Sequence, residues 1–321
     1  ATLADVFQVQ AESASRVARA LDVTLSAGEE KVLESRPTDN LAAYEAYLQA
    51  RRTEREGAGG NIFSRMTELY GKAVALDPGF ALAWAYLSVW KSSSYRAVDL
   101  NAQTVESARR AAERALDLDP SLPEARFAMA LYLHNVEYDM EAANEQIALG
   151  LETAPNHPLL REAWADTRLP WKDRLAYFEH AAELDPLSWT AANNAGRGFL
   201  FARQHHKAQE WFDRAISLAA PTNVYLVEHR AMVFLARGDL EGARAFVREA
   251  AGRVDVTELV AIFACYYDLY WVLDDDWQEL LFRLGPEQFC GSGTARSLAF
   301  AHTHHLRGQW DQMRTDAEIA R

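Results

Sequence analysis

The sequence predicts an all-α solenoid of helical hairpins stacked in series, and three observations carry that expectation. An apolar helical pattern keeps ending on Asp-Pro or a near relative. LYGKAVALDP closes at Pro78, AAERALDLDP at Pro120, QIALGLETAP at Pro155, YFEHAAELDP at Pro186 and WFDRAISLAAP at Pro221. The intervals of 42, 35, 31 and 35 residues are each the length of one helical hairpin. Helical periodicity runs through nearly the whole chain, and strand-type alternation is almost absent. Finally, the 16 glycines and 10 prolines are few for 321 residues, and the prolines fall mostly between helices, where they stop the preceding hydrogen-bond ladder.

A stacked array needs no domain boundary, because each hairpin leans only on its neighbours. With 49% hydrophobic residues and 11% aromatics the chain has ample apolar surface to bury, which excludes a disordered class. The net charge of −13 disfavours a nucleic-acid partner, since phosphate binding needs clustered Lys and Arg. A neutral or basic protein or peptide suits it better. Cys265 and Cys290 are too few and too unpatterned for a disulfide framework. No secretory-type leader pattern opens the chain. The longest apolar stretch, VAIFACYYDLYWVL, contains Asp268 and is shorter than the roughly 20 residues that span a bilayer. It reads as a buried helix, so the expectation is a cytoplasmic protein with no membrane partner.

The first forty residues stand apart. They predict a long amphipathic helix from about Leu3 to Leu21, a short extended piece at Val23 to Leu25 and a second helix to about Glu34. Beyond them, the cleanest hairpin runs from about Trp189 to Ala220. Its first helix carries Ala192, Ala195, Gly196 and Phe199, and its second carries Ala208, Phe212 and Ala215. Spacings of three and four keep each set on one face; the small residues permit close approach and the two Phe side chains fill the remaining volume. The pattern returns at Trp84, Leu87, Ala108, Ala112 and Ala115, with an insertion near Ser92 to Thr104. It appears again at Phe234, Gly238, Ala243 and Ala250, and at Ala301, Gly308 and Ala320. Ile147 and Gly150 depart from it, and the stretch from Val256 to Phe289 keeps two helices but little of the skeleton. Ser121-Leu122-Pro123-Glu124 predicts a capping box, and Asp255 with Glu258 a second helix start.

This alternation of small and large residues resembles the tetratricopeptide repeat (TPR), with its W-x2-L-G-x2-Y…A-x3-F…P skeleton. The resemblance implies a right-handed superhelix of about seven or eight hairpins. A narrower resemblance lies in DVFQVQAESASRVARAL, SRPTDNLAAYEAYLQARR, DPGFALAWAYLS and LLFRLGPEQFCGSGTARSLAFAHTHHLRGQW. These resemble the junction and late repeats of bacterial signalling proteins in which a TolB-like domain precedes the TPRs, often behind an adenylate cyclase, protein kinase or winged-helix module. It implies that residues 1–37 are left over from such a preceding domain, that 38–321 form the solenoid, and that both ends are truncations of a longer protein.

No phosphate loop, dinucleotide fingerprint, nucleophile elbow or HExxH occurs, so no enzyme activity, catalytic residue or cofactor is expected. His302, His304 and His305 form the densest histidine cluster, after His205 and His206. On a helix only His302 and His305 share a face, and no Cys or carboxylate completes a set at ligand spacing, so they read as structural and no metal is expected. Asp274-Asp275-Asp276 lacks the spacing of a calcium loop and reads as a helix cap before Trp277. Tyr266, Tyr267, Tyr270 and Trp271 read as packing.

The inner face of the solenoid is the stronger candidate. The TPR resemblance implies that first helices line a concave groove, which places Asn193, Asn194 and Arg197 there. Two amides and a guanidinium within one turn suit an extended peptide or a helix. Neighbouring repeats add Tyr86, Val89, Phe127, Leu131, His134, Glu228 and Met232. Two alternatives stand beside a protein-binding scaffold: a homodimer formed through the helix at Leu3 to Leu21, and a small-molecule receptor or enzyme with a cavity near 266–277 and 302–305.

Overall fold

The computed structural model describes residues 37–56, 62–97, 102–265, 269–289 and 292–320, together with Glu12 and Arg16. The two helices expected before Glu34, Tyr266, Tyr267 and Cys290 lie outside these residues. The rest is all-α: sixteen α-helices and no strand among the described residues. In order they are α1 (Leu41–Glu56), α2 (Ile62–Leu76), α3 (Ala81–Ala97), α4 (Ala102–Leu118), α5 (Pro123–Tyr132), α6 (Met140–Thr153), α7 (Pro158–Arg168) and α8 (Trp171–Leu184). There follow α9 (Trp189–Phe201), α10 (His205–Leu218), α11 (Val224–Ala236), α12 (Leu240–Ala250), α13 (Val256–Cys265), α14 (Asp275–Leu281), α15 (Gly293–Leu306) and α16 (Trp310–Ile319). Taken in pairs they make eight hairpins, within the expected seven or eight.

Small residues set helix spacing both within and between hairpins. Gly196 of α9 sits so close to α10 that a Cβ there would fall 2.7 Å from Phe212 Cδ1. Ala208, Phe212 and Ala215 are fully buried. Gly150 plays the corresponding part between hairpins, where an added Cβ would lie 2.6 Å from Leu160 Cδ1 of the next one. The glycine that breaks the sequence pattern is thus the point where α6 and α7 touch. The insertion near Ser92 to Thr104 is largely absorbed as helix, since α3 and α4 are both 17 residues long. The irregular stretch is irregular in fact, with two short 3-10 turns at Tyr270–Val272 and Pro286–Phe289 flanking α14.

Most helix starts follow local chemistry. Asp255 Oδ1 accepts from the amides of Thr257 and Glu258, at 2.8 and 3.3 Å. Asp274 Oδ1 accepts from Trp277 N at 3.3 Å, as the cap reading required. The capping box at Ser121 does not form. Leu122 holds the N-cap position with no side-chain bond and Pro123 opens α5, while Ser121 Oγ donates to Asp119 Oδ1 at 2.7 Å. Proline's preset φ starts the helix without a cap.

First helices touch one another in succession (α3 with α5, α5 with α7, α9 with α11, α11 with α13, α13 with α15), and second helices make no comparable contact with each other. A stack spaced more tightly on one layer must curve toward it, so the first helices form the inner face. The curvature is enough to bring the first hairpin back against the fifth and sixth. Trp189 Nε1 donates to the carbonyl oxygen of Arg55 at 3.0 Å, and the Phe63 and Tyr225 rings meet edge-on with centroids 6.3 Å apart.

Candidate partner-binding face

Two constellations occupy the inner layer. In the first, Arg51 of α1 lies 4.6 Å above the ring of Tyr86 on α3 and pairs with Glu54 at 2.5 Å. Tyr47, Tyr70 and Tyr86 pack around it; Tyr70 and Tyr86 are stacked at 5.4 Å, and Tyr47 stands 6.1 Å from Tyr86. Residues 47, 51 and 54 fall on one face of α1 because they are spaced four and three apart. Burial pushes the Tyr47 phenol up to about 12, against a lowering pull from Arg51. Burial also raises the Glu54 carboxyl, again opposed by Arg51. Burial raises the Tyr70 and Tyr86 phenols as well, so all three tyrosines are neutral at physiological pH.

The second constellation joins α7, α9 and α11. Asn194 Nδ2 donates to Glu162 Oε1 at 2.6 Å, and His229 Nδ1 lies 2.8 Å from Asn193 Oδ1. A polar chain therefore runs across three successive first helices. Burial raises the Glu162 carboxyl and Asp166 adds to the effect, while Arg197 and the Asn194 hydrogen bond oppose it. Burial drives the His229 imidazole down to about 3, with the Arg197 cation adding to the shift. His229 is a neutral ring, and Arg197 is an exposed cation set beside it and Glu162.

The residues proposed from the sequence divide by exposure. Arg197 is exposed, Asn194 is half-buried and Asn193 is buried at 8% exposure in its bond to His229. Tyr86 and Glu228 are also buried, at 6% and 3%. Phe127 and Leu131 are half-buried on α5, and His134 sits in the π turn Leu133–Glu137 that ends it, its Nδ1 3.0 Å from Asn135 Oδ1. Val89 and Met232 are half-buried and pack on neighbouring cores. The structure thus brings Asn193, Asn194 and Arg197 together, places Tyr86 in the separate tyrosine cluster and leaves the others spread along the layer. Sequence reasoning missed Arg51, Glu54, Glu162 and His229. The spacing of Tyr47, Arg51 and Glu54 was the available signal; for Glu162 and His229 there was none, since their partners sit on other helices.

The histidine cluster is tied up in packing. His302 stacks on Tyr270 at 5.9 Å, His304 stacks on Phe282 at 4.5 Å and reaches Asp316 Oδ2 at 2.7 Å, and His305 meets Trp310 at 5.2 Å. Tyr270 also stacks on Trp271 at 5.1 Å. Among the described residues no three His, Cys, Asp or Glu side chains are grouped to hold a metal ion. Nor is any described helix long and apolar enough to cross a membrane.

The architecture is that of a TPR-type α-solenoid, a class of protein defined by curved stacks of helical hairpins. Over 98% of this chain it aligns with human IFIT1, solved as a dimer with m7Gppp-AAAA, at a TM-score of 0.58, 14% identity and 76% coverage of that chain. A tetratricopeptide repeat protein from Parabacteroides merdae ATCC 43184 aligns over 87% of this chain and 98% of its own, with TM-score 0.44 and 13% identity. In sequence, the chain is 32% identical over 136 residues to "Putative adenylate cyclase 3" of Rhizobium meliloti (strain 1021). That match covers 41% of this chain and 22% of the relative, so the chain spans about a fifth of the curated protein it resembles. No family model matches the chain.

Proposed function

We propose that this chain is a protein-interaction scaffold whose inner face holds a peptide or helix, and that it works as the repeat region of a multidomain bacterial signalling protein. The observation that carries the first part is the polar chain Glu162–Asn194 and Asn193–His229 with Arg197 exposed beside it. These side chains are already fixed by bonds to one another, so a ligand pays little to order them. Arg197 then supplies a free bidentate donor for a backbone carbonyl or carboxylate. The net charge of −13 favours a neutral or basic partner overall. The signalling role is supported by the cyclase-named relative.

Site-specific crosslinking tests the assignment. A photoreactive side chain at Arg197 or Phe127 on the inner face is compared with one at Glu249 on α12, a second helix. Partner adducts from the inner positions support the groove. Adducts from Glu249 with none from the inner pair assign binding to the outer layer and end the proposal.

A further inference from the structure

We propose that the contact between the first hairpin and the fifth and sixth is a gate: it holds the inner face shut as a ring, and a partner segment reaches that face only when Trp189 and Tyr225 release the first hairpin. The gate rests on the reading of the inner face as the partner-binding surface, but its opening is measurable without a partner.

Hairpins one to six lean on one another in series, and the series closes where α1 and α2 meet α9 and α11. At one point of closure Trp189 Nε1 donates to the Arg55 carbonyl oxygen at 3.0 Å. At the other, the Phe63 and Tyr225 rings meet edge-on at an interplanar angle of 81°. Tyr225 packs against two cores at once, the one that holds Tyr70, Phe80 and Tyr86 and the one that holds Phe263, Leu269 and Phe289. It is a bridge between the amino-terminal and carboxyl-terminal halves, not a member of one hairpin's packing alone.

This joint is built unlike the others. Successive hairpins pack helix along helix, as α3 does on α5, α8 on α9 and α10 on α11. Among the described residues, no helix of the first hairpin packs in that way on one of the fifth or sixth. What closes the ring is a hydrogen bond and an aromatic pair, and the hydrogen bond is exposed, so water competes for both its ends. Two such contacts favour the closed form by about tenfold to a hundredfold. That bias leaves an open form populated for a partner to select. Opening also spares the rest of the stack, because each hairpin depends on its neighbours in series.

The inner-layer side chains behave as the lining of an enclosed space. Glu162, His229, Tyr47 and Glu54 are only half-buried. Burial is nonetheless the largest influence on the acidity of all four. Groups that keep contact with solvent while protein crowds them from several sides line a concavity; on an open convex face they would be hydrated. Arg197 is exposed within this layer, so small molecules reach it with the ring shut. A helix is about 10 Å across with its side chains, and it enters sideways only through an open ring.

The test uses the full chain with Cys265→Ser and Cys290→Ser and one reporter thiol, from Arg197→Cys on the inner layer or Glu249→Cys on the outer one. Each reporter reacts with N-ethylmaleimide and with an alanine-rich helical peptide that carries a maleimide at its middle. The ratio of the two rates cancels the reactivity of the thiol itself. With the ring shut, the peptide-to-small-reagent ratio at position 197 should lie about tenfold or more below that at 249. Trp189→Phe combined with Phe63→Leu should raise the ratio at 197 about tenfold and leave that at 249 unchanged. If the double variant loses helical dichroism, Trp189→Phe alone, which keeps a ring at the joint, decides by the same ratio. Equal ratios at 197 and 249 before the substitutions, or an unchanged ratio at 197 after them, would overturn the gate. Absence of partner adducts on the inner face would end the binding reading while leaving this measurement intact.

Discussion

His229 Nδ1 and Asn193 Oδ1 lie 2.8 Å apart, and this pair joins the first helices of the fifth and sixth hairpins. An amide oxygen only accepts, so Nδ1 carries a proton and donates it in this bond. Burial and the adjacent Arg197 together hold the imidazole down to about 3 from its ordinary 6.5.

A depressed histidine makes the fold acid-sensitive in a defined window. The unfolded chain takes up a proton as pH falls through 6.5, while the folded ring does so only near 3, so stability drops progressively between them. From pH 7 to 5.5 this costs about 1 kcal/mol. Glu162 works the other way, because a raised carboxyl favours the folded state as pH falls toward its own titration. Urea midpoints against pH should slope downward on acidification in the wild type. His229→Gln should flatten the slope between pH 5 and 7, and Glu162→Gln should steepen it. An unchanged slope in His229→Gln would remove the ring from this account.

Gly196 offers a packing test. A methyl group at this position meets the Phe212 ring at well below contact distance, and Phe212 is fully buried. Gly196→Ala should gain helix propensity yet lose stability, by about 1–3 kcal/mol from overpacking. At Gly238, where φ is 76° and nothing lies within 4 Å, the same change should also destabilise, but through the backbone alone. Combining Gly196→Ala with Phe212→Leu should recover part of the loss only at the first site, as chemical denaturation would show.

Asn194 and Arg197 are separable, although the sequence placed both in the groove as ligand contacts. Asn194 satisfies a half-buried carboxylate, so Asn194→Ala should cost about 1–3 kcal/mol. Exposed Arg197 carries no such duty, and Arg197→Ala should weaken partner binding with a melting temperature near that of the wild type. Loss of both in Arg197→Ala would reassign the guanidinium to the fold.

Trp189 is the fourth test. Trp189→Phe keeps the ring but removes the donor to the Arg55 carbonyl, which then turns to water. The expected cost is about 1 kcal/mol. Amide exchange should speed up in α1 and α9 while α15 and α16 stay as they were. Uniform acceleration along the chain would mean the bond has no local role.

The sequence made the repeat legible because the signal is local. Gly196 with Phe212, the fully buried Ala208 and Ala215, and the caps at Asp255 and Asp274 all act within one hairpin and leave their spacing in the chain. The inner-face bonds Asn194–Glu162 and Asn193–His229 depend on how neighbouring hairpins rotate against each other, which spacing does not encode. Hence Asn193 and Tyr86, read as groove-lining, are buried among partners that were not foreseen. The cap at Ser121 failed for a local reason, since Pro123 started the helix by itself.

The contact between Arg55 and Trp189 also gives the molecule a mechanical polarity. A plain stack peels from either end with equal ease. Here the amino-terminal hairpin is buttoned to another 134 residues away, so tension applied to that end loads the button in shear before any helix can leave. The opposite end has no such fastening among the described residues, and α16 has no fully buried side chain. Under load in an optical trap, unravelling should therefore begin at α16 and run one way along the chain.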